Sequence, residues 1–239
     1  ALGWTPVYLH YNTGRHISLN GQELADRLEA LLQAWPVPVR EVALVGHSMG
    51  GLVARSACHV AQQRGLRWLD RVSSLVCLGT PHHGATLERG GHLVDLALGL
   101  SRYAAPFARL GRARSAGITD LRFGNLREAD WHGREAHHQA HDDREPVPWP
   151  PGVTPYLVAA CLSEQPETRR ARLLGDGLVP LASALGEHRD PRLDVSVPPA
   201  QRLVVAGTNH FDLLDSPLVA AQLRQWLTPR QGRRQTLDS

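Results

Sequence analysis

Three polar residues, far apart along 239 residues, could together perform nucleophilic chemistry. Ser48 stands in Gly46-His47-Ser48-Met49-Gly50-Gly51, after the apolar run Val42-Ala43-Leu44-Val45 and before a segment with helical spacing. Strand, Gly-x-Ser-x-Gly, helix spells a turn sharp enough to strain the serine backbone and push its hydroxyl out at the end of a sheet. Glycines on both sides are expected, because a Cβ there would collide with the adjoining strand or helix. A serine hydroxyl alone is a weak nucleophile and needs a base. His210, in Ala206-Gly207-Thr208-Asn209-His210-Phe211, can take the proton and return it to a leaving group. Asp176, in Gly175-Asp176-Gly177-Leu178, can orient that imidazole and stabilise the imidazolium. The Met49 amide, at the start of the following helix, is the expected donor to an oxyanion.

Each assignment has a plainer counterpart. Gly-x-Ser-x-Gly can be only a tight turn, and Asp-Gly is a strong turn signal in its own right. His210 is one of thirteen histidines. His47 is built into the serine turn, which makes it a poorer base and a candidate substrate contact. Asp212 and Asp215 stand too near His210 in sequence to lie easily behind its ring.

Those side chains need a frame, and the sequence outlines one. Tyr156-Leu157-Val158-Ala159-Ala160 and Leu203-Val204-Val205-Ala206 read as strands ahead of Asp176 and His210, and Arg71 to Leu78 as another. Thr5 to His10 also reads as a strand. A helix follows it, with Asn20 as cap, Glu23 three residues on and Leu24, Leu28, Leu31, Leu32 and Trp35 on one face; Pro36 and Pro38 end it. Ser216-Pro217 opens a last helix. Strands alternating with helices imply a mostly parallel sheet covered on both faces.

The serine turn, with Ser, Asp and His in that order and each after a strand, resembles the α/β-hydrolase superfamily and its esterase/lipase-like members. The resemblance covers almost the whole chain. It implies an α/β-hydrolase fold with the triad Ser48, Asp176 and His210, acting on a small-molecule ester or lipid through an acyl-enzyme, with no cofactor or metal. Thioesterases, amidases and acyltransferases use the same residues. Gly79-Thr80-Pro81-His82-His83-Gly84 resembles a loop of lipase-like members and of deacylases of glycolipid anchors, which would make Thr80, Pro81 and His82 lining residues. The stretch 85–152, dense in His, Arg, Gly and Pro, falls where the superfamily inserts a lid, and Leu93 to Phe107 suggests a helix with an apolar face. One departure stands out. The superfamily has more strands upstream, including one between the strand at 5–10 and the serine strand, whose loop carries the second oxyanion donor. Nothing here supplies it, so the N-terminal part of the sheet is expected to be missing. The chain then reads as the larger, C-terminal part of a longer protein; the alternatives are that its first strand has moved inward or that another chain fills the gap. A degenerate, non-catalytic binding module is the rival reading.

Composition narrows the classes. One domain over 1–239 fits the length, with 230–239 a frayed tail. The formal charge is only +3, every basic residue is Arg, and no basic run interleaves with aromatics, which argues against nucleic-acid binding. Cys58, Cys77 and Cys161 are isolated in apolar contexts and read as buried free thiols rather than a disulfide framework. No apolar run spans a bilayer, and no signal-peptide pattern stands at Ala1, which tilts the reading slightly toward the cytoplasm, with a removed leader as the alternative. His132, His137, His138, His141, Asp142 and Asp143 match no zinc spacing and read as a solvated face.

Overall fold

The computed structural model describes residues 2–85, 115–133 and 142–228. The suggested helix at Leu93 to Phe107, His137, His138, His141 and the tail 230–239 lie outside them. Four parallel strands, β1 (Val42–His47), β2 (Val72–Leu78), β3 (Thr154–Ala160) and β4 (Arg202–Val205), form one sheet in the order β1-β2-β3-β4. The helices are α1 (Ile17–Ala34), α2 (Met49–Arg64), α3 (Ala116–Phe123), α4 (Arg169–Leu174), α5 (Leu181–Ala184) and α6 (Pro217–Leu227).

Side-chain alternation along the strands divides the core in two. Leu75 and Cys77 of β2 and Leu157 of β3 face Ala54, Ala57, Cys58 and Ala61 of α2, with Leu24, Leu28 and Leu32 of α1 packed behind. Val76 and Leu78, with Tyr156, Val158 and Ala160, face the other way onto Leu213 and Val219. Tyr156 stacks there on Trp226 of α6. Small residues on α2 allow its backbone to approach the sheet. Burial on both faces is what makes β2 and β3 continuous apolar runs. Cys58, Cys77 and Cys161 are free and buried, and burial pushes the first two thiols up to about 12.

Two sequence expectations fail here, and both failures have tertiary causes. Thr5 to His10 forms no strand. Tyr8 is 84% exposed, and residues 2–11 lie across a groove of about 740 Å³ from the edge of β1. A strand needs a ladder partner, and none of the described strands pairs with the segment. Among the described residues β1 is therefore an edge strand, in keeping with a sheet that lacks its N-terminal part. The second failure is the cap of α1. The helix starts at Ile17, not after Asn20, and His16 offers it no side-chain cap. Buried Asp120 of α3 does so instead: Oδ2 accepts from Ile17 N at 2.8 Å and His16 Nδ1 at 3.0 Å, and Oδ1 accepts from Asn125 Nδ2 at 3.0 Å. Asn20 reaches back to the Asn12 carbonyl, and Glu23 pairs with Arg15 and Arg27 on the surface. The last helix begins as expected, with Ser216 Oγ accepting from Val219 N ahead of Pro217.

Candidate active site

The turn between β1 and α2 puts Ser48 at φ 52°, ψ −122°, the one non-glycine residue with positive φ among the described residues. Such a conformation costs on the order of 1–3 kcal/mol and persists only where its surroundings impose it. Here Ser48 N donates to Leu78 O of β2 at 2.8 Å, and α2 starts on the next residue. Gly46 is required sterically: a Cβ would lie 2.4 Å from Gly51 N and 2.5 Å from Gly50 C. Gly51 is required too, because Thr80 Oγ1 would be 2.1 Å away. Gly50 differs from expectation. Its nearest obstruction is Tyr11 Oη at 3.8 Å, so the second glycine of the motif is not the one that close packing demands. Met49 N, as the first amide of α2, has no acceptor within the helix. No second donor beside it is evident among the described residues.

Asp176 and His210 come together beyond the ends of β3 and β4. Gly175 turns the chain at φ 54°, where a Cβ would strike Val179 O. Leu162 N donates to Gly175 O, tying this loop to the end of β3. Asp176 Oδ1 accepts from Leu178 N at 2.9 Å and Val179 N at 2.8 Å, which locks the carboxylate, while Oδ2 meets His210 Nδ1 at 2.7 Å. A carboxylate only accepts, so Nδ1 carries the proton and Nε2 presents a lone pair. His210 N donates to Asp176 O at 3.2 Å, a second tie between the two loops. Gly79 ends β2 at φ 56°, and a Cβ there would sit 3.1 Å from His210 Nδ1, so the ring crosses the tip of β2 on its way toward β1. Asp212 takes its bond from Asn209 instead. Ser48 and His210 are both buried. No hydrogen bond links Ser48 Oγ to His210 Nε2 among the described residues, a separation common in unliganded sites.

Of the expected lining residues His47, Thr80, Pro81 and His82, only His47 makes a hydrogen bond or ring contact with His210 among the described residues. His47 Nε2 donates to the His210 carbonyl at 3.0 Å. Burial and then the His210 imidazole push its pKa down to about 4. Thr80 packs beneath the start of α2, and Pro81 is buried beside it. His82 turns to Arg55, a residue that sequence reasoning missed. Arg55 is 4% exposed, donates to His82 Nδ1 at 3.0 Å and Val147 O at 2.6 Å, and lies over Trp149 at 4.6 Å. Burial lowers it to about 10, so it stays a cation at neutral pH. Its signal was an arginine amid Val53, Ala54, Ser56 and Ala57 on an otherwise apolar face. Arg144, also missed, donates to Gly124 O at 2.6 Å and His82 O at 3.2 Å. The two arginines thus fasten residues 142–147 over the loop after β2. No three metal-ligating side chains converge among the described residues. None of the described helices is long and apolar enough to cross a membrane.

A parallel sheet, a strained serine between strand and helix, and loops bearing Asp and His in that order define an α/β-hydrolase fold of the esterase/lipase-like kind. The family-model comparison adds a closer assignment: residues 7–140 match the PGAP1-like alpha/beta domain, and the chain belongs to that family. Among solved structures, the mature form of the Bacillus licheniformis lipase BlEst2 aligns with TM-score 0.53 at 21% identity, over 93% of this chain and 78% of that one. The propeptide form of the same lipase aligns with TM-score 0.53 at 22% identity, over 97% of this chain and 44% of that one. The chain thus spans under half of that longer form, and at these identities the likeness is one of fold. No curated protein sequence matches the chain.

Proposed function

We propose that this protein is a serine hydrolase of carboxylic esters, with Ser48 as nucleophile, His210 as general base and acid, and Asp176 as the group that orients His210. The observation that carries the reading is the strained backbone of Ser48 at the β1–α2 turn, one residue beyond the His47 that bonds the carbonyl of His210, itself paired with Asp176. Strain of this sort is retained where a function uses it. In the proposed reaction, Ser48 Oγ attacks the acyl carbonyl while its proton moves to His210 Nε2. The oxyanion is held by the Met49 amide, and the imidazolium protonates the departing alkoxide. Water then attacks the acyl-enzyme with His210 as base, and Ser48 recovers its proton. Every step uses protein groups, so the proposal invokes no metal or cofactor. The stretch 85–152 is proposed, from its place in the sequence, as a lid insertion, and the resemblance of the loop at 79–84 favours deacylation of an ester.

The non-catalytic reading draws on two observations made of the described residues: no bond joins Ser48 to His210, and no second donor stands out beside the candidate Met49 amide. Losing one such donor typically costs about 10²–10³ in rate. A fluorophosphonate probe separates the readings. Stoichiometric labelling that disappears in Ser48→Ala supports the hydrolase, and folded wild-type protein that resists the probe refutes it. A series of p-nitrophenyl esters of increasing chain length then separates a short-chain esterase from a lipase.

A further inference from the structure

We infer that His47 is a positioning residue that fastens His210 to the strand carrying Ser48, rather than a contact to the substrate. The inference rests on the hydrolase reading above. Among the described residues β4 and β1 are the two outer strands of the sheet, with β2 and β3 between them. At about 4.8 Å per strand, the loop after β4 must reach back roughly 14 Å to bring an imidazole to Ser48. Two of the bonds that hold His210, Nδ1 to Asp176 Oδ2 at 2.7 Å and its own N–H to Asp176 O at 3.2 Å, tie it to the β3 side. They fix the ring's tautomer and orientation but not its distance from Ser48. The bond from His47 Nε2 to the His210 carbonyl, at 3.0 Å, supplies that tie from the residue immediately before Ser48.

The chemistry of the contact is determinate. A carbonyl oxygen only accepts, so Nε2 of His47 carries a proton. The rings lie 4.7 Å apart at 43°, close enough for His47 to limit the swing of His210 as well as anchor its backbone. With its pKa near 4, His47 is neutral at working pH and adds no cation beside the base. A neutral, directional donor is the form that a spacer needs.

Two variants test this. His47→Phe keeps a ring in place and removes the donor; His47→Gln keeps an N–H donor. In p-nitrophenyl ester hydrolysis, His47→Phe is expected to lower kcat about 10- to 100-fold, the loss typical of an ångström-scale misplacement, with KM within about twofold of wild type. His47→Gln should recover most of that loss. The second readout is the downfield proton resonance of His210 Nδ1, assigned by its disappearance in Asp176→Asn. It should shift and broaden in His47→Phe and return in His47→Gln, with thermal unfolding little changed. An unaltered resonance in His47→Phe overturns the inference whether or not the protein turns over esters. So does a loss confined to KM, which would make His47 a substrate contact, or a Gln variant no better than Phe. If wild-type protein resists the fluorophosphonate, the hydrolase reading falls, and the resonance still decides whether His47 holds His210.

Discussion

At the residue scale, backbone and side chain make separate demands on the Ser48 turn, and they can be tested separately. A methyl group at Gly46 would lie within 2.6 Å of three backbone atoms of Gly50 and Gly51, none of which can move without unwinding α2. Gly46→Ala should therefore cost at least about 3 kcal/mol or prevent folding, by analogy with overpacking in a core that cannot yield. Gly50→Ala meets nothing closer than 3.8 Å and lies in the first turn of a helix, where Ala is favoured over Gly by up to about 1 kcal/mol. Urea unfolding should find it at wild-type stability or slightly above. Asp176→Asn probes the side chain. The amide can present its NH2 to Nδ1 and so turn the proton to Nε2, where it blocks the base. The expected loss in kcat is about 10⁴-fold, the value recorded for this change in a serine protease, with folding unaffected. Equal activity for the Asn variant would remove Asp176 from the proposed triad.

Elements are positioned by contacts that neighbouring residues do not announce, and α1 is the clearest case. Asp120→Ala would remove the acceptor of three donors at once, those of Ile17 and Asn125, which are buried, and that of His16, which is partly open to water. An unsatisfied buried group costs about 1–3 kcal/mol, so the variant should lose at least about 2 kcal/mol and several degrees in Tm. Glu23→Ala, at the position the capping pattern favours, removes only exposed ion pairs and should fall within about 0.5 kcal/mol of wild type. The contrast explains which parts of the fold could be read from sequence. β2, β3 and α2 were legible because their apolar runs are buried on the faces that periodicity indicates, whereas β1 and β4, only partly buried at the outer positions of the sheet, were legible as short apolar runs ahead of the Ser48 and His210 loops. The start of α1 was not, because its cap comes from Asp120, about a hundred residues further on. The strand at residues 5–10 was misread because alternation describes a strand's two faces and says nothing of a hydrogen-bonding partner. Within the site, the Asp176–His210 pair was legible from order and loop position. Arg55 and Arg144 escaped because the contacts that join them to the loop after β2, on carbonyls and on His82, follow no spacing; the pairing of Arg144 with Asp142 two residues before it is local and gives no sign of them.

Across the whole molecule, the histidines couple stability to pH. His47 and His83 are each pushed down to about 4, chiefly by burial, and burial followed by the Arg55 charge drives His82 well below the ordinary value. In the unfolded chain all three return to about 6.5. Below that pH the unfolded state binds protons that the folded state refuses, so unfolding gains as pH falls. The stability due to their neutral forms is therefore complete above about pH 7 and declines from 6.5 toward 4. His47 and His83 then add no further slope once they protonate in the fold, whereas His82 continues to. The paired carboxylates take over in the acid range: Arg192 holds Asp190 down to about 2, so its contribution fades only below about pH 4. Calorimetry from pH 7.5 to 4.5 should show Tm level at first and then falling steadily, before carboxylate protonation begins. His83→Gln isolates one contributor. An amide can still donate to Gly186 O, the bond that His83 Nε2 makes at 3.0 Å, but it cannot be protonated. This variant should match wild type at pH 7.5 and exceed it at pH 5. Identical pH profiles for the two proteins would mean that His83 titrates no differently folded than unfolded, and its burial would then carry no acid sensitivity.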